Sequence, residues 1–211
     1  MQLGSSATGR EVILATNNRH KIVELQQLLA DIGVRVRPPI ELGVKLEVAE
    51  DGLTYAENAV AKALAFARAS GLIALADDSG LEVAGLGGEP GVFSARYAGE
   101  VATDGDRISL VLERLRARKG ADRSARFVCA IAIATPAGDV STVLGECRGV
   151  VTEAPRGENG FGYDPIFYLP ERGQTMAELP PFVKNGISHR ANAARLARAV
   201  LAARVDFWLN A

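Results

Sequence analysis

The chain has 211 residues and a formal net charge of −1, and 48% of its residues are hydrophobic while 23% are charged. This composition is typical of a globular protein, and the near-neutral charge lacks the basic excess that nucleic-acid binding normally requires. The longest apolar run, residues 127–134, is far too short to span a bilayer. We therefore expect no nucleic-acid partner and no membrane partner.

The cysteines and the start of the chain indicate a compartment. Cys129 and Cys147 have no metal-binding spacing and form no disulfide framework, so we interpret them as reduced thiols. Reduced thiols are the rule in the cytosol. The first ten residues, MQLGSSATGR, lack the apolar core of a secretory signal. We expect a cytoplasmic protein whose residues 1–10 form a flexible leader.

The first predicted elements are a strand and a helix with a polar cluster between them. Residues 12–15 form an apolar run that predicts a buried strand, and apolar residues then recur at helical spacing until Gly33. Asn18 is a candidate cap for this helix. The N-terminus of a helix binds anions through its backbone N–H groups and its dipole. Thr16, Asn17, Asn18 and Lys21 therefore predict a phosphate site, and the alternative is a capped helix with a solvated lysine.

The next helix and strand lead to a pair of carboxylates. Thr54 and Glu57 match a capping box, which predicts a helix that ends before Gly71. Residues 72–76 predict a strand that the stretch ALADDSGL ends. If the strand continues through Asp77 and Asp78, their side chains point to opposite faces, so one faces a ligand and the other is structural.

A carboxylate at a strand end suits Mg²⁺, which prefers oxygen ligands and keeps several waters. Asp78 is one candidate ligand, and Glu50 in the loop VAEDGL is a second. The alternative interpretations are an ordinary Asp-Ser-Gly turn and an exposed loop acid. With only two histidines in the chain, a histidine-based metal centre is not expected.

The middle of the chain predicts antiparallel strands. We expect Asp104 to cap a helix that runs to about Arg118. Residues 125–135 and 140–146 flank a Pro-Ala-Gly-Asp turn and predict a hairpin. A capping box also spans Thr175 to Glu178, and a last helix begins near Ser188. The order of elements favours an α/β fold with a mixed sheet.

Two further polar clusters lie in the second half. In GFGYDP, Phe161 can stack on a base and Asp164 can accept a hydrogen bond, although a tight turn with an aromatic plug explains the same residues. In KNGISHR, Lys184 can meet a phosphate, while His189 and Arg190 can donate to an electronegative base edge. The alternative for His189 is a local hydrogen bond in the first turn of a helix.

Taken in chain order, these clusters resemble the non-canonical purine nucleoside triphosphate pyrophosphatases, the inosine/xanthosine triphosphate pyrophosphatase family. The resemblance runs from Leu14 to Arg190, over most of the chain. The matching stretches are LATNNRHK, LTYAENAVAKA, ADDSGLEV, PGVFSARYAGE, GFGYDPIF, TMAEL and ISHR.

The resemblance implies a fold and an activity. The fold would be an elongated mixed sheet with flanking helices, and residues 11–211 would form a single two-lobed domain around a cleft. The activity would be Mg²⁺-dependent hydrolysis of ITP, dITP and XTP to the monophosphate and pyrophosphate. The protein would be a cytosolic homodimer that cleanses the nucleotide pool. A pyrophosphatase for modified pyrimidines or other nucleotides and a non-catalytic nucleotide-binding module are the alternatives.

The resemblance also implies roles for individual residues. Asp78 would be the general base and a metal ligand, and Glu50 would be the second ligand, with Asp51 and Glu47 as possible substitutes. The remaining residues would bind the triphosphate and the base: Thr16, Asn17, Asn18, Lys21, Ser79, Phe161, Gly162, Tyr163, Asp164, Lys184, His189 and Arg190.

Overall fold

The computed structural model describes residues 10–30 and 32–203, which form one mixed β-sheet flanked by helices. The described strands are β1 Arg10–Leu14, β2 Val34–Arg37, β3 Ile73–Val83, β4 Ser124–Ala134, β5 Val140–Val151, β6 Phe167–Leu169 and β7 Gln174–Thr175. The described α-helices are α1 Arg19–Leu28, α2 Tyr55–Ser70, α3 Asp104–Ala117, α4 Pro181–Ile187 and α5 His189–Ala203. In this part of the chain, no helix combines the length and apolar character needed to cross a membrane.

The strand order confirms the predicted mixed α/β fold. The sheet has the order β2-β1-β3-β4-β5-β6-β7, in which β2 and β3 run parallel to β1 and the later neighbours are antiparallel. The predicted hairpin is formed by β4 and β5. Of the predicted leader, residues 1–9 lie outside the described residues, while Arg10 begins β1.

The prediction that ALADDSGL ends a strand is wrong, because β3 continues to Val83. Its ladder with β4 is unbroken from Ala74 opposite Ala134 to Val83 opposite Ala125. The local turn preference of Asp-Asp-Ser-Gly is overridden because the long apolar strand β4 offers every one of these residues a backbone partner. Asp77 and Asp78 are therefore consecutive strand residues with side chains on opposite faces.

Two predicted helix boundaries also differ. Thr103, and not Asp104, caps α3, because its side chain accepts from the N–H of Asp106 while the Asp106 carboxylate accepts from Thr103. Asp104 is the first helical residue. Helix α1 ends at Leu28, short of the predicted Gly33. The predicted caps at Asn18, Thr54 and Thr175 are confirmed.

Helices pack on both faces of the sheet and bring polar residues to its centre. The alanine-rich face of α2 packs on β3 and β4, and α5 packs on β4 and β5 from the other face. Alanine is the best helix former and allows close approach, so α2 can lie flat on the sheet. The N–H of Ala15 donates to the carbonyl of Leu75, which brings the residues that follow β1 beside the Asp pair.

Gly145 in β5 sets how closely α5 approaches the sheet. A Cβ at this position would lie 2.2 Å from the backbone nitrogen of Ala193 and 2.4 Å from the carbonyl oxygen of His189. Non-bonded atoms rest roughly 3.5–4.0 Å apart, so α5 would have to move.

We expect Gly145→Ala to lower the free energy of unfolding by about 1–3 kcal/mol, the usual cost of overpacking. The matched control is Gly105→Ala in the first turn of α3, where the new Cβ would meet its nearest neighbour at 3.6 Å. That control should be neutral or gain about 0.4–1 kcal/mol. Urea unfolding of the three proteins gives both values. A Gly145→Ala protein as stable as wild type would contradict the close packing.

Candidate active site

A cavity of about 490 Å³ lies where β1, β3, α1, α2, α4 and α5 meet. The structure brings all of the site residues named from the sequence to its wall: Thr16, Asn17, Asn18, Lys21, Glu50, Asp78, Ser79, Phe161, Gly162, Tyr163, Asp164, Lys184, His189 and Arg190. Of the possible substitutes for Glu50, Glu47 also lines the cavity and Asp51 does not. Residues far apart in sequence therefore share one pocket.

Asp77 is the fully buried member of the Asp pair. Its Oδ2 accepts from Nε (3.0 Å) and Nη2 (2.9 Å) of Arg190 and lies 3.2 Å from Nζ of Lys21. Burial by itself raises the pKa of Asp77, but the positive charges of Lys21, Arg190 and Lys62 outweigh it and hold this pKa well below its usual range. Asp77 is thus ionised at neutral pH and joins β3 to α1 and α5.

Asp78 points to the other face of the sheet, into the cavity. Its Oδ2 accepts from Nδ2 of Asn58 (3.0 Å), and its Oδ1 lies 3.6 Å from Nζ of Lys62. Burial raises the pKa of Asp78, and the nearby Glu50 carboxylate raises it further against the opposing Lys62 and Lys21 charges. A carboxylate with a raised pKa is a stronger proton acceptor, which suits a general base.

Asn58 and Lys62 were missed by the sequence reasoning. They lie four residues apart on α2 and therefore on one face of the helix. Nζ of Lys62 donates to Oε1 of Glu50 (2.6 Å) and to the carbonyl oxygen of Asp77 (2.8 Å). Burial lowers the pKa of Lys62, but Asp78, Asp77 and Glu50 outweigh it, so the pKa is raised and the ammonium persists. Two polar residues at helical spacing in an alanine-rich helix were the available signal.

The donor set fits a divalent cation. Glu50 and Asp78 both lie next to the Lys62 ammonium, which places the two carboxylates near each other at the cavity wall. Arg96 donates from Nη2 to the carbonyl oxygen of Glu50 (2.8 Å) and fixes this loop. Among the described residues, no group of three or more His, Cys, Asp or Glu side chains could hold a metal ion. A pair of carboxylates is nevertheless the usual protein share of an Mg²⁺ site that also uses substrate phosphates.

The start of α1 forms one part of the cavity wall, and a helix N-terminus of this kind suits an anion. Oδ1 of Asn18 accepts from the backbone N–H groups of His20 (3.0 Å) and Lys21 (3.2 Å), so Asn18 is a helix cap as well as a wall residue. Oγ1 of Thr16 accepts from the N–H of Asn18 (3.2 Å). Asn17 donates to the carbonyl oxygen of Leu46, which ties this turn to the loop that carries Glu50. The turn is held in place before any ligand arrives.

A further part of the cavity wall carries Phe161 and a buried ion network. Nζ of Lys184 lies 2.5 Å from Oδ2 of Asp164 and 2.8 Å from Oε1 of Glu24. Oδ2 of Asp164 also accepts from the backbone N–H of Phe161 (2.9 Å). Nη1 of Arg190 donates to Oε2 of Glu24 (2.7 Å). Glu24 was missed by the sequence reasoning because both of its partners are more than 150 residues away in the chain.

Three wall residues are held by contacts to neighbouring segments. The hydroxyl of Tyr163 donates to the carbonyl oxygen of Ser94 (2.8 Å), and the N–H of Gly162 donates to Oδ2 of Asp104 (2.6 Å). Oγ of Ser79 accepts from Nη2 of Arg190 (2.9 Å). The contacts of Gly162 and Tyr163 fix the loop that carries Phe161 and leave the Phe161 ring at the cavity wall.

His189 is buried with its ring stacked on Phe127, at 4.6 Å between centroids. Burial and the neighbouring Arg190 and Lys184 charges hold the pKa of His189 well below its usual range, so the imidazole is neutral. Its Nδ1 is buried without a hydrogen-bond partner. A neutral imidazole offers one donor and one acceptor, and this ring nitrogen makes neither kind of hydrogen bond within the protein.

Comparison with known proteins identifies the family that this chain matches. The profile of the Ham1 family matches residues 12–200. The chain is 51% identical to a dITP/XTP pyrophosphatase of Geobacillus kaustophilus, over 87% of this chain and 90% of that protein. It is 50% identical to a dITP/XTP pyrophosphatase of Thermus thermophilus, over 89% of each.

Solved structures give the same result. A HAM1 protein from Coxiella burnetii superposes with a TM-score of 0.85 at 46% identity, covering 92% of this chain and 99% of that one. The Ham1 protein of Staphylococcus aureus has a TM-score of 0.81 at 42% identity with the same coverage.

We expect Asp77→Asn to lower the free energy of unfolding by about 3–5 kcal/mol, because Arg190 and Lys21 lose a buried counter-charge. The pKa of Asp77 is lower in the folded protein than its ordinary 3.8, so its stabilisation is complete above about pH 4 and is lost as the pH falls toward the folded pKa. The stability difference between wild type and variant should therefore be constant from about pH 7 to pH 5 and narrow below about pH 4.

Urea unfolding across this range measures the difference. Glu113→Gln on the exposed side of α3 is the control and should change stability by no more than about 0.5 kcal/mol. An Asp77→Asn protein that matches this control would show that the buried pairs contribute nothing.

Proposed function

The chain belongs to the Ham1 family, and from this membership and the cleft we propose that it hydrolyses ITP, dITP and XTP to the monophosphate and pyrophosphate. The observation that carries the proposal is the position of Asp78. Its carboxylate lines the cavity together with Glu50, and the same wall carries a helix N-terminus that suits phosphates and an aromatic ring that suits a base.

The triphosphate occupies the end of the cavity formed by α1. Thr16, Asn17 and Asn18 supply polar groups there, and Lys21 supplies a positive charge. Glu50 and Asp78 are the residues that would hold Mg²⁺. When bound, Mg²⁺ supplies Lewis-acid stabilisation of the charge on the phosphate oxygens.

Water attacks the α phosphorus, and Asp78 orients it and accepts its proton. The water oxygen forms a bond to the α phosphorus, the bond from this phosphorus to the bridging oxygen breaks, and pyrophosphate leaves with the bonding electron pair. Asn58 holds the Asp78 carboxylate from one side. Such reactions depend mainly on positioning and electrostatic stabilisation, which the fixed cations of this cavity supply.

Base selection occurs at position 6 of the purine. Hypoxanthine and xanthine carry an acceptor oxygen there, whereas adenine carries a donor amino group. Phe161 stacks on the base, while His189 and Arg190 lie at its edge. A site that donates to the 6-oxygen is left unpaired by adenine, which can reject an analogue by orders of magnitude.

The cellular setting follows from the same proposal. The enzyme acts in the cytoplasm and removes deaminated purine nucleotides before polymerases use them. It works as a homodimer, and the exposed Phe93, in the Gly-rich segment 85–97, is available for the interface.

Pyrophosphate release from ITP, dITP, XTP, GTP, ATP and dUTP, with Mg²⁺ and with EDTA, tests the proposed function. We expect metal-dependent release that favours ITP, dITP and XTP, with the monophosphate as co-product. Orthophosphate as the product would contradict cleavage at the α phosphorus. A preference for dUTP would assign the protein to pyrimidine nucleotides instead.

We expect Asp78→Asn to lower kcat for ITP by roughly 10²–10⁴-fold, the usual contribution of a general base. Glu113→Gln is the control, since Glu113 is exposed on α3 and lies outside the cavity wall, and it should keep wild-type activity. Steady-state kinetics of the two variants decide the role of Asp78. Near-normal turnover by Asp78→Asn would reject it as the base.

A further inference from the structure

The ring of His20 stacks on the ring of Phe161 across two distant segments of the chain. The ring centroids are 5.1 Å apart with an interplanar angle of 17°. His20 lies in the first turn of α1 and is exposed, while Phe161 is half-buried in the GFGYDP loop. Parallel aromatic pairs at this distance attract each other beyond the area they bury. The contact therefore restrains the ring that the proposed function assigns to base stacking.

Phe161 is restrained by cations as well as by His20. Nζ of Lys184 lies 4.8 Å from the centroid of the Phe161 ring, and Cζ of Arg190 lies 5.5 Å from it. Glu24 binds both cations and stands four residues after His20, on the same face of α1. This face of α1 thus carries His20, which contacts the Phe161 ring, and Glu24, which holds the two cations near that ring.

His20 stands outside the space that a substrate would fill. Phe161, Lys184 and Arg190 line the cavity, and His20 is absent from its wall. Its contact with Phe161 is thus made outside the residues that form the cavity wall.

We propose that His20 is a positioning residue for base recognition, which holds the Phe161 ring in the orientation that receives the purine. This inference rests on the proposed function. The same turn of α1 carries Lys21 and the Asn18 cap at the phosphate end. One helical turn thus fixes both ends of the substrate, the triphosphate through Lys21 and the base through His20 and Phe161.

The experiment compares His20→Ala, His20→Phe and the wild type. We expect His20→Ala to raise KM for ITP by roughly three- to tenfold, the loss expected for one aromatic contact, with kcat nearly unchanged. His20→Phe keeps an aromatic ring against Phe161 and should restore KM. Val23→Ala, at an exposed position of α1 outside the cavity wall, is the control and should leave both constants unchanged.

A ligand that has no base distinguishes a role of His20 in positioning Phe161 from a general distortion of α1 by the substitution. Inorganic triphosphate, used as a competitive inhibitor of ITP hydrolysis, reports only on the phosphate end. Its inhibition constant should be the same for wild type and His20→Ala. An equal loss of affinity for ITP and for inorganic triphosphate would overturn the proposal, because His20 would then act through α1 as a whole. An unchanged or lowered KM for ITP would also overturn it, the lowered value showing competition with the base.

The outcome is separable from that of the proposed function. If wild type releases no pyrophosphate from any nucleotide, the proposed function fails. If wild type turns over ITP and His20→Ala behaves like Val23→Ala, only the role of His20 fails.

Discussion

The buried carboxylate of Asp77 is the interaction on which the site depends. A carboxylate removed from water is costly unless cations and hydrogen bonds compensate it, and here Arg190 and Lys21 supply both. Arg190 also binds Glu24, and Glu24 binds Lys184. The ion network therefore runs from the centre of the sheet to α1, α4 and α5, and it fixes several residues of the cavity wall.

Adjacent positions on one strand give two aspartates opposite properties. Asp77 faces three cations and has a lowered pKa, whereas burial raises the pKa of Asp78 despite the opposing charges of Lys62 and Lys21. Pairs of carboxyl groups with pKa values pushed apart by their surroundings are typical of acid and base assignments in enzymes. Because side chains alternate along a β-strand, the adjacent Asp77 and Asp78 face different surroundings, provided that the strand continues through both residues.

Local signals in the sequence predicted the elements well. The capping boxes at Thr54 and Thr175 and the hairpin turn depend on neighbouring residues only, so they could be recognised without a structure. The length of β3 could not, because the turn preference of Asp-Asp-Ser-Gly was overridden by pairing with β4, about 50 residues later in the chain. Lys62 and Glu24 were missed for the same reason, since each contacts partners brought close only by the folded sheet.

The central proposal is that Asp78, in the cleft organised around this ion network, directs a water molecule to the α phosphorus of the nucleotide. Hydrolysis of ITP in ¹⁸O-labelled water, followed by mass spectrometry of both products, tests it most directly. The account predicts one labelled oxygen in the monophosphate and none in the pyrophosphate. Label in the pyrophosphate would place the attack on the β phosphorus and contradict the proposed geometry.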